Sequence, residues 1–183
     1  RRLVDVLWYA LRGVAGAGAT THVAHRPLVS SLCCLWCLVA TSNACRTHAF
    51  QLEAPDLVAE TLRALIRARG TPIEAPMIAA CGVLVAFAGG PRRYERKLAE
   101  LGVDLDAVVM LQRFLQHRQL VAAAAVLLGV VARDAASAER LAANEEGLAA
   151  AAAAGERWPD VVQEALSQTM QPVAPTVLNA FGL

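Results

Sequence analysis

The chain has 183 residues, enough for one domain of ordinary size. It is 56% hydrophobic, only 5% aromatic, and carries a formal net charge of +1. That charge provides no global field of the kind nucleic-acid binding calls on. Mean hydropathy is +0.43, supplied by alanine, leucine and valine rather than by the β-branched and aromatic alternation of strands, so the composition predicts an all-α fold.

In chain order, Leu3, Val4, Leu7, Leu11 and Val14 recur at helical spacing and predict a helix over 2–15. The chain starts Arg1-Arg2-Leu3 without a signal-peptide pattern, and both ends read as cuts in a longer one. Gly13, Gly16 and Gly18 read as a linker, because no strand precedes them as a phosphate loop requires. A second helix is expected over 21–42; His22 and His25 stand at its solvated start and its apolar run covers 28–40. Two more apolar runs follow at 75–88 and 120–132. A membrane-spanning helix needs about 20 consecutive apolar residues. These runs are fourteen and thirteen long, and all three end in polar or breaking residues: Thr41-Ser42-Asn43, Gly89-Gly90-Pro91 and Arg133-Asp134. They read as central helices of a core. A small helical membrane protein with short hydrophobic hairpins is the alternative.

The runs recur. Ala40, Ala88 and Ala132 mark their ends, and a weaker run, VVQEALSQTMQPVA, adds Ala174; the spacings are 48, 44 and 42. Ahead of each run lies an apolar residue, six others and a leucine: Phe50/Leu57, Leu98/Leu105 and Leu141/Leu148. Gly102, Gly147 or Pro55 falls inside each pair as the break between a short helix and a second one. One unit is therefore a short helix, a helix and a long buried helix.

LAELGVDLDAVVMLQRFL, LVAAAAVLLGVVA and, more loosely, LAANEEGLAAAAAA resemble the phrases of the armadillo repeat, within the wider armadillo/HEAT superfamily. The resemblance covers nearly the whole chain and implies one right-handed α-solenoid domain over 1–183. Its parts are a partial unit at 1–42, units at about 43–90, 91–133 and 134–175, and the start of another at 176–183. Such units stack because none buries its third helix alone. Peptide-binding armadillo arrays carry an asparagine on each third helix and a tryptophan one turn earlier. Here the asparagine positions hold Leu38, Ala86, Val130 and Pro172, and the tryptophan positions Cys34, Gly82, Val126 and Gln168. The ladder is absent. What the resemblance leaves is a small, apolar concave wall, with Gly82, Ala86, Val126, Val130, Gln168 and Pro172 as candidate partner-binding positions.

Three other groups carry potential chemistry. Cys34, Cys37, Cys45 and His48 form CxxC and CxxH, the ligand types of a zinc site, but only seven residues separate the two pairs. The preferred reading is no metal, the cysteines acting as small hydrophobes, with a helical zinc-binding domain as alternative. Arg92, Arg93, Arg96 and Lys97 make the densest basic stretch, suited to an acidic partner or to a solvated face; Arg63, Arg67 and Arg69 form a second stripe. Asp104, Asp106, Glu145 and Glu146 fall at the starts of second helices, where the helix dipole favours acids. No nucleophile has a paired base. The sequence therefore predicts a non-catalytic interaction scaffold or structural subunit of a larger assembly. It predicts protein partners, no cofactor, no nucleic acid and no membrane span. Five cysteines without a disulfide framework point to an intracellular, reducing compartment, cytoplasmic by preference.

Overall fold

The computed structural model describes residues 2–16, 22–68, 73–169 and 173–183. The glycine-rich stretch beyond Gly16, Arg69 and Pro172 lie outside the described residues. Twelve α-helices and no strand are found among the described residues. They gather into two compact units, Arg1–Gly90 and Pro91–Leu183.

The first unit holds α1 (Arg2–Gly16), α2 (His22–Thr41), α3 (Asn43–Gln51), α4 (Ala54–Arg67) and α5 (Glu74–Ala88). His22 and His25 belong to the first turn of α2. Helix α2 packs on α5, α1 packs on α2 and α4, and α3 lies against α1, α2 and α4. Leu28, Leu32, Leu35 and Val39 repeat along one side of α2 and are fully buried. On α5 nearly every residue from Pro76 to Leu84 is buried, so this helix has little amphipathic character and is covered on several sides. Each fully buried Leu or Phe contributes roughly 1.5–3 kcal/mol, so α2 and α5 are where this unit's stability is concentrated.

The second unit holds α6 (Arg92–Glu100), α7 (Val103–Phe114), α8 (Arg118–Val131), α9 (Ala135–Ala143), α10 (Glu145–Arg157), α11 (Pro159–Ser167) and α12 (Pro175–Phe181). Helix α8 packs on α7, α11 and α6. Helix α10 packs on α7, α9, α11 and α12. Leu120, Val121, Leu127, Leu128 and Val131 of α8 are buried to within 1%. The stretch 120–132 is thus core, as its length and its stop predict.

Three consecutive triplets therefore appear, α3-α4-α5, α6-α7-α8 and α9-α10-α11, each opening with a nine-residue helix. The turn signals act as expected. Ser42 caps α3 by accepting from Cys45 N at 3.3 Å, and Asp134 caps α9 by accepting from the amides of Ala136 and Ser137. Gly89 ends α5 and Pro91 precedes α6, where its missing N–H costs nothing.

Two details of the repeat differ from expectation. Helix α11 stops at Ser167, so Ala174 does not end a third helix; it is the N-cap of α12. The break in the last triplet is Asn144, whose side chain accepts from Gly147 N at 2.9 Å, whereas Gly147 is already inside α10 and buried. In the other two triplets the break is a left-handed residue: Glu53 (φ 56°) and Gly102 (φ 70°). Glu53 adopts there, at a steric cost, the conformation that Gly102 adopts freely. Each short helix buries an apolar residue near its end, Ala49, Leu98 or Leu141, a register of 49 and 43 residues. Leu105, expected to lead α7 into the core, is 43% exposed; Val103, Ala107 and Val108 take that role.

No helix among the described residues is long and apolar enough to cross a membrane.

Candidate functional site

The basic stretch lies on α6. Tyr94, Glu95, Leu98 and Ala99 turn inward, and the opposite side presents Arg92, Arg93 and Arg96, all exposed, with Lys97 half-buried beside them. The spacing that buries one face of this helix therefore gathers three guanidinium groups on the other. The Arg93 guanidinium sits 5.1 Å from the centre of the Tyr94 ring and donates to Tyr94 Oη at 3.4 Å, which holds it over an aromatic surface. Glu95 faces inward and pairs with Arg133 at 3.7 Å, both side chains 11% exposed.

The candidate wall positions differ in exposure. Gly82 is buried under Trp36 of α2: a Cβ built on it would meet three atoms of the indole at 2.5–2.8 Å. The indole occupies the space that a side chain at this position of α5 would take. Val130 is only 3% exposed, within the packing of α8. Ala86 and Val126 are half-buried, Gln168 is the exposed C-cap of α11, and Pro172 lies outside the described residues.

Cys34 and Cys37 lie exposed on α2, and Cys45 is half-buried on α3. His48 is engaged elsewhere, its Nε2 lying 2.7 Å from Asp5 Oδ1 of α1. Among the described residues no three His, Cys, Asp or Glu side chains come together as metal ligands. Cys34 and Cys37 thus lie on a solvent-facing stripe of α2, while His48 is turned to Asp5 of another helix. Cys33, behind that stripe, has its thiol pKa pushed up by burial and by the neighbouring Cys37 and Cys34 thiols.

Sequence reasoning missed the second unit's polar centre. Asp104, 2% exposed, takes two hydrogen bonds from Arg140, Nε to Oδ2 at 2.9 Å and Nη2 to Oδ1 at 3.1 Å. The same Nη2 donates to Ala99 O at the end of α6 (2.8 Å) and to Ser137 Oγ (3.0 Å). The Asp104 hydrogen bond holds the Arg140 pKa above its ordinary value against the cost of burial. One guanidinium thus joins α6, α7 and α9. A bidentate arginine–carboxylate pair is a positioning device. Arg46 does similar work in the first unit. It donates to Val39 O and Ala40 O in the last turn of α2 (3.0 and 3.4 Å) and to Gly89 O at the end of α5 (3.1 Å). Trp158, at the start of α11, donates through Nε1 to Leu115 O at 2.8 Å, and the neighbouring Arg157 bonds Gln116.

No family model, no curated protein and no solved structure matches the chain.

Proposed function

We propose that the chain is a non-catalytic protein-interaction scaffold built from armadillo-like three-helix units. The observation that supports this reading is a packing pattern found in each of the two units. First helices lie against the second helix of the preceding triplet: α3 on α1, α9 on α7 and α12 on α10. Second helix meets second helix in α1 with α4 and α7 with α10; third meets third in α2 with α5 and α8 with α11. A chain that repeats one set of contacts buries core between neighbours and leaves its outer helix faces for partners. The polar groups drawn together inside the units, Arg140 with Asp104 and Arg46 with three carbonyls, join helices.

The surface best suited to a partner is the Arg92, Arg93 and Arg96 face of α6, which fits an acidic protein segment. A reducing, cytoplasmic setting suits five free thiols, two of them exposed. The test is site-specific photo-crosslinking from Arg96 in native extract, alongside the triple variant Arg92→Glu, Arg93→Glu, Arg96→Glu. The reading predicts a few saturable adducts that the charge reversal abolishes while helicity stays unchanged. Adducts no different from those of a photo-crosslinker placed at Gln163 of α11 would refute the assignment of this face.

A further inference from the structure

We infer that two faces of this molecule fit each other, so that copies associate head to tail, α1 of one copy against α10 of the next. The solvent side of α1 carries Arg2, Val6, Tyr9 and Gly13, spaced to lie along one line of the helix. Val6 is 63% and Tyr9 68% exposed, the two most exposed large apolar side chains among the described residues. Arg12 flanks this line, its guanidinium 5.0 Å from the centre of the Trp8 ring. The line is thus apolar in the middle with a cation near each end.

Helix α10 presents the converse. Glu145, Ala149, Ala152 and Glu156 fall along one line of that helix, small in the middle with a carboxylate at each end. Ala149 and Ala152 line an open groove of about 550 Å³, with Ala142, Leu148, Thr176 and Ala180 as its other main walls. Large side chains on one helix and a hollow of small ones on the other are the two halves of a knob-and-hole contact.

The charges match in position as well as in sign. Arg2 and Arg12 stand ten residues apart, about 15 Å along a helix; Glu145 and Glu156 stand eleven apart, about 16 Å. Laid side by side, the helices place each cation next to a carboxylate while Val6 and Tyr9 enter the alanine-lined groove. The wider charge pattern agrees. Residues 2–41 carry three arginines against one aspartate, and residues 135–183 carry two arginines against six carboxylates. Charge of this kind steers encounter and fixes register, while the apolar middle supplies the burial. The inference rests on the stacked-triplet reading in one respect, that second helix against second helix is the mode of contact, as in α7 with α10.

Because the two faces differ, the contact is heterologous, and this gives a decisive test. Sedimentation velocity is run on the full chain and on two variants, Val6→Glu/Tyr9→Glu and Ala149→Arg/Ala152→Arg, each checked for unchanged helicity. The wild-type chain is expected to form concentration-dependent species larger than a dimer, dissociating as salt is raised. Each variant alone is expected at the 19.4 kDa of one chain. An equimolar mixture, in which each variant keeps one intact face, is expected to stop at twice that mass. Three results overturn the inference: a wild-type chain that is monomeric throughout the micromolar range, variants that still oligomerise alone, or a mixture that stays monomeric. Helicity and cooperative melting, which report on the triplet architecture, are not altered by any of these, so failure of the self-contact is separable from failure of the repeat.

Discussion

In Arg1–Gly90 the short helix α3 reaches the end of α5 with an arginine; in Pro91–Leu183 the corresponding helix α6 reaches the end of α8 with a carboxylate. Arg46 and Glu95 each stand three residues before a fully buried apolar residue of their short helix, Ala49 and Leu98. Their targets, Gly89 and Arg133, each directly follow the alanine that closes the apolar run. The same place is tied by opposite chemistry. Arg46 binds carbonyl oxygens, which any residue supplies and which a helix C-terminus makes negative. Glu95 binds a side chain, and so depends on one residue. Similar architecture thus leaves the two units with different vulnerabilities.

The largest effect is expected where the second unit closes most tightly. A Cβ on Gly155 of α10 would clash with the Phe181 carbonyl oxygen of α12, a backbone atom that cannot swing aside. Gly155→Leu should expel α12 and expose Val177 and Phe181, at a cost of about 3–5 kcal/mol. Hydrogen exchange would show amides 177–182 losing protection while α6 and α7 keep theirs; unchanged protection in α12 would contradict the packing. Gly82→Ala is the counterpart in the first unit and should be milder, because the indole of Trp36 is 38% exposed and can move.

The next prediction sharpens the contrast of ties. Arg133→Ala strands the largely buried Glu95 carboxylate and should destabilise by about 1–3 kcal/mol. Gly89→Ala should cost under about 0.5 kcal/mol, since the carbonyl that Arg46 binds is retained and the new methyl meets nothing closer than 3.6 Å. Equal costs in urea denaturation would dissolve the distinction. The smallest effect separates the two left-handed breaks. Glu53→Gly should stabilise by roughly 0.5–1 kcal/mol, and Gly102→Ala should destabilise by about 1 kcal/mol. Denaturation midpoints moving in the same direction would contradict the assignment.

Much of this organisation is legible in the sequence because it is written in local terms. Ser42, Gly89 with Pro91, and Asp134 act on their own backbone or the next turn, and each stands where a helix changes. The unbroken run at 120–132 is buried because no face of it is polar. What the sequence hides is the choice of partner across distance. Asp104 carries a sufficient local explanation at the start of α7, and nothing local shows that Arg140, 36 residues on, will claim it. Gly82 reads as a concave-wall position until Trp36, on another helix, is seen to cover it. Gly147 reads as a break because glycine often is one, yet Asn144 can cap a helix with its side chain, and Gly147 is needed small against Val108. The end of α11 was misplaced because the run through Ala174 is the least apolar of the four, and periodicity alone does not locate a stop within it.

The proposed scaffold requires that the three-helix units be interchangeable. Excising residues 91–133, so that Gly90 joins Asp134, tests it most directly by circular dichroism during thermal melting. The expected result is a shortened chain that keeps its helicity per residue and melts in one cooperative transition at lower temperature. A chain that loses most of its helicity, or melts without cooperativity, would contradict it.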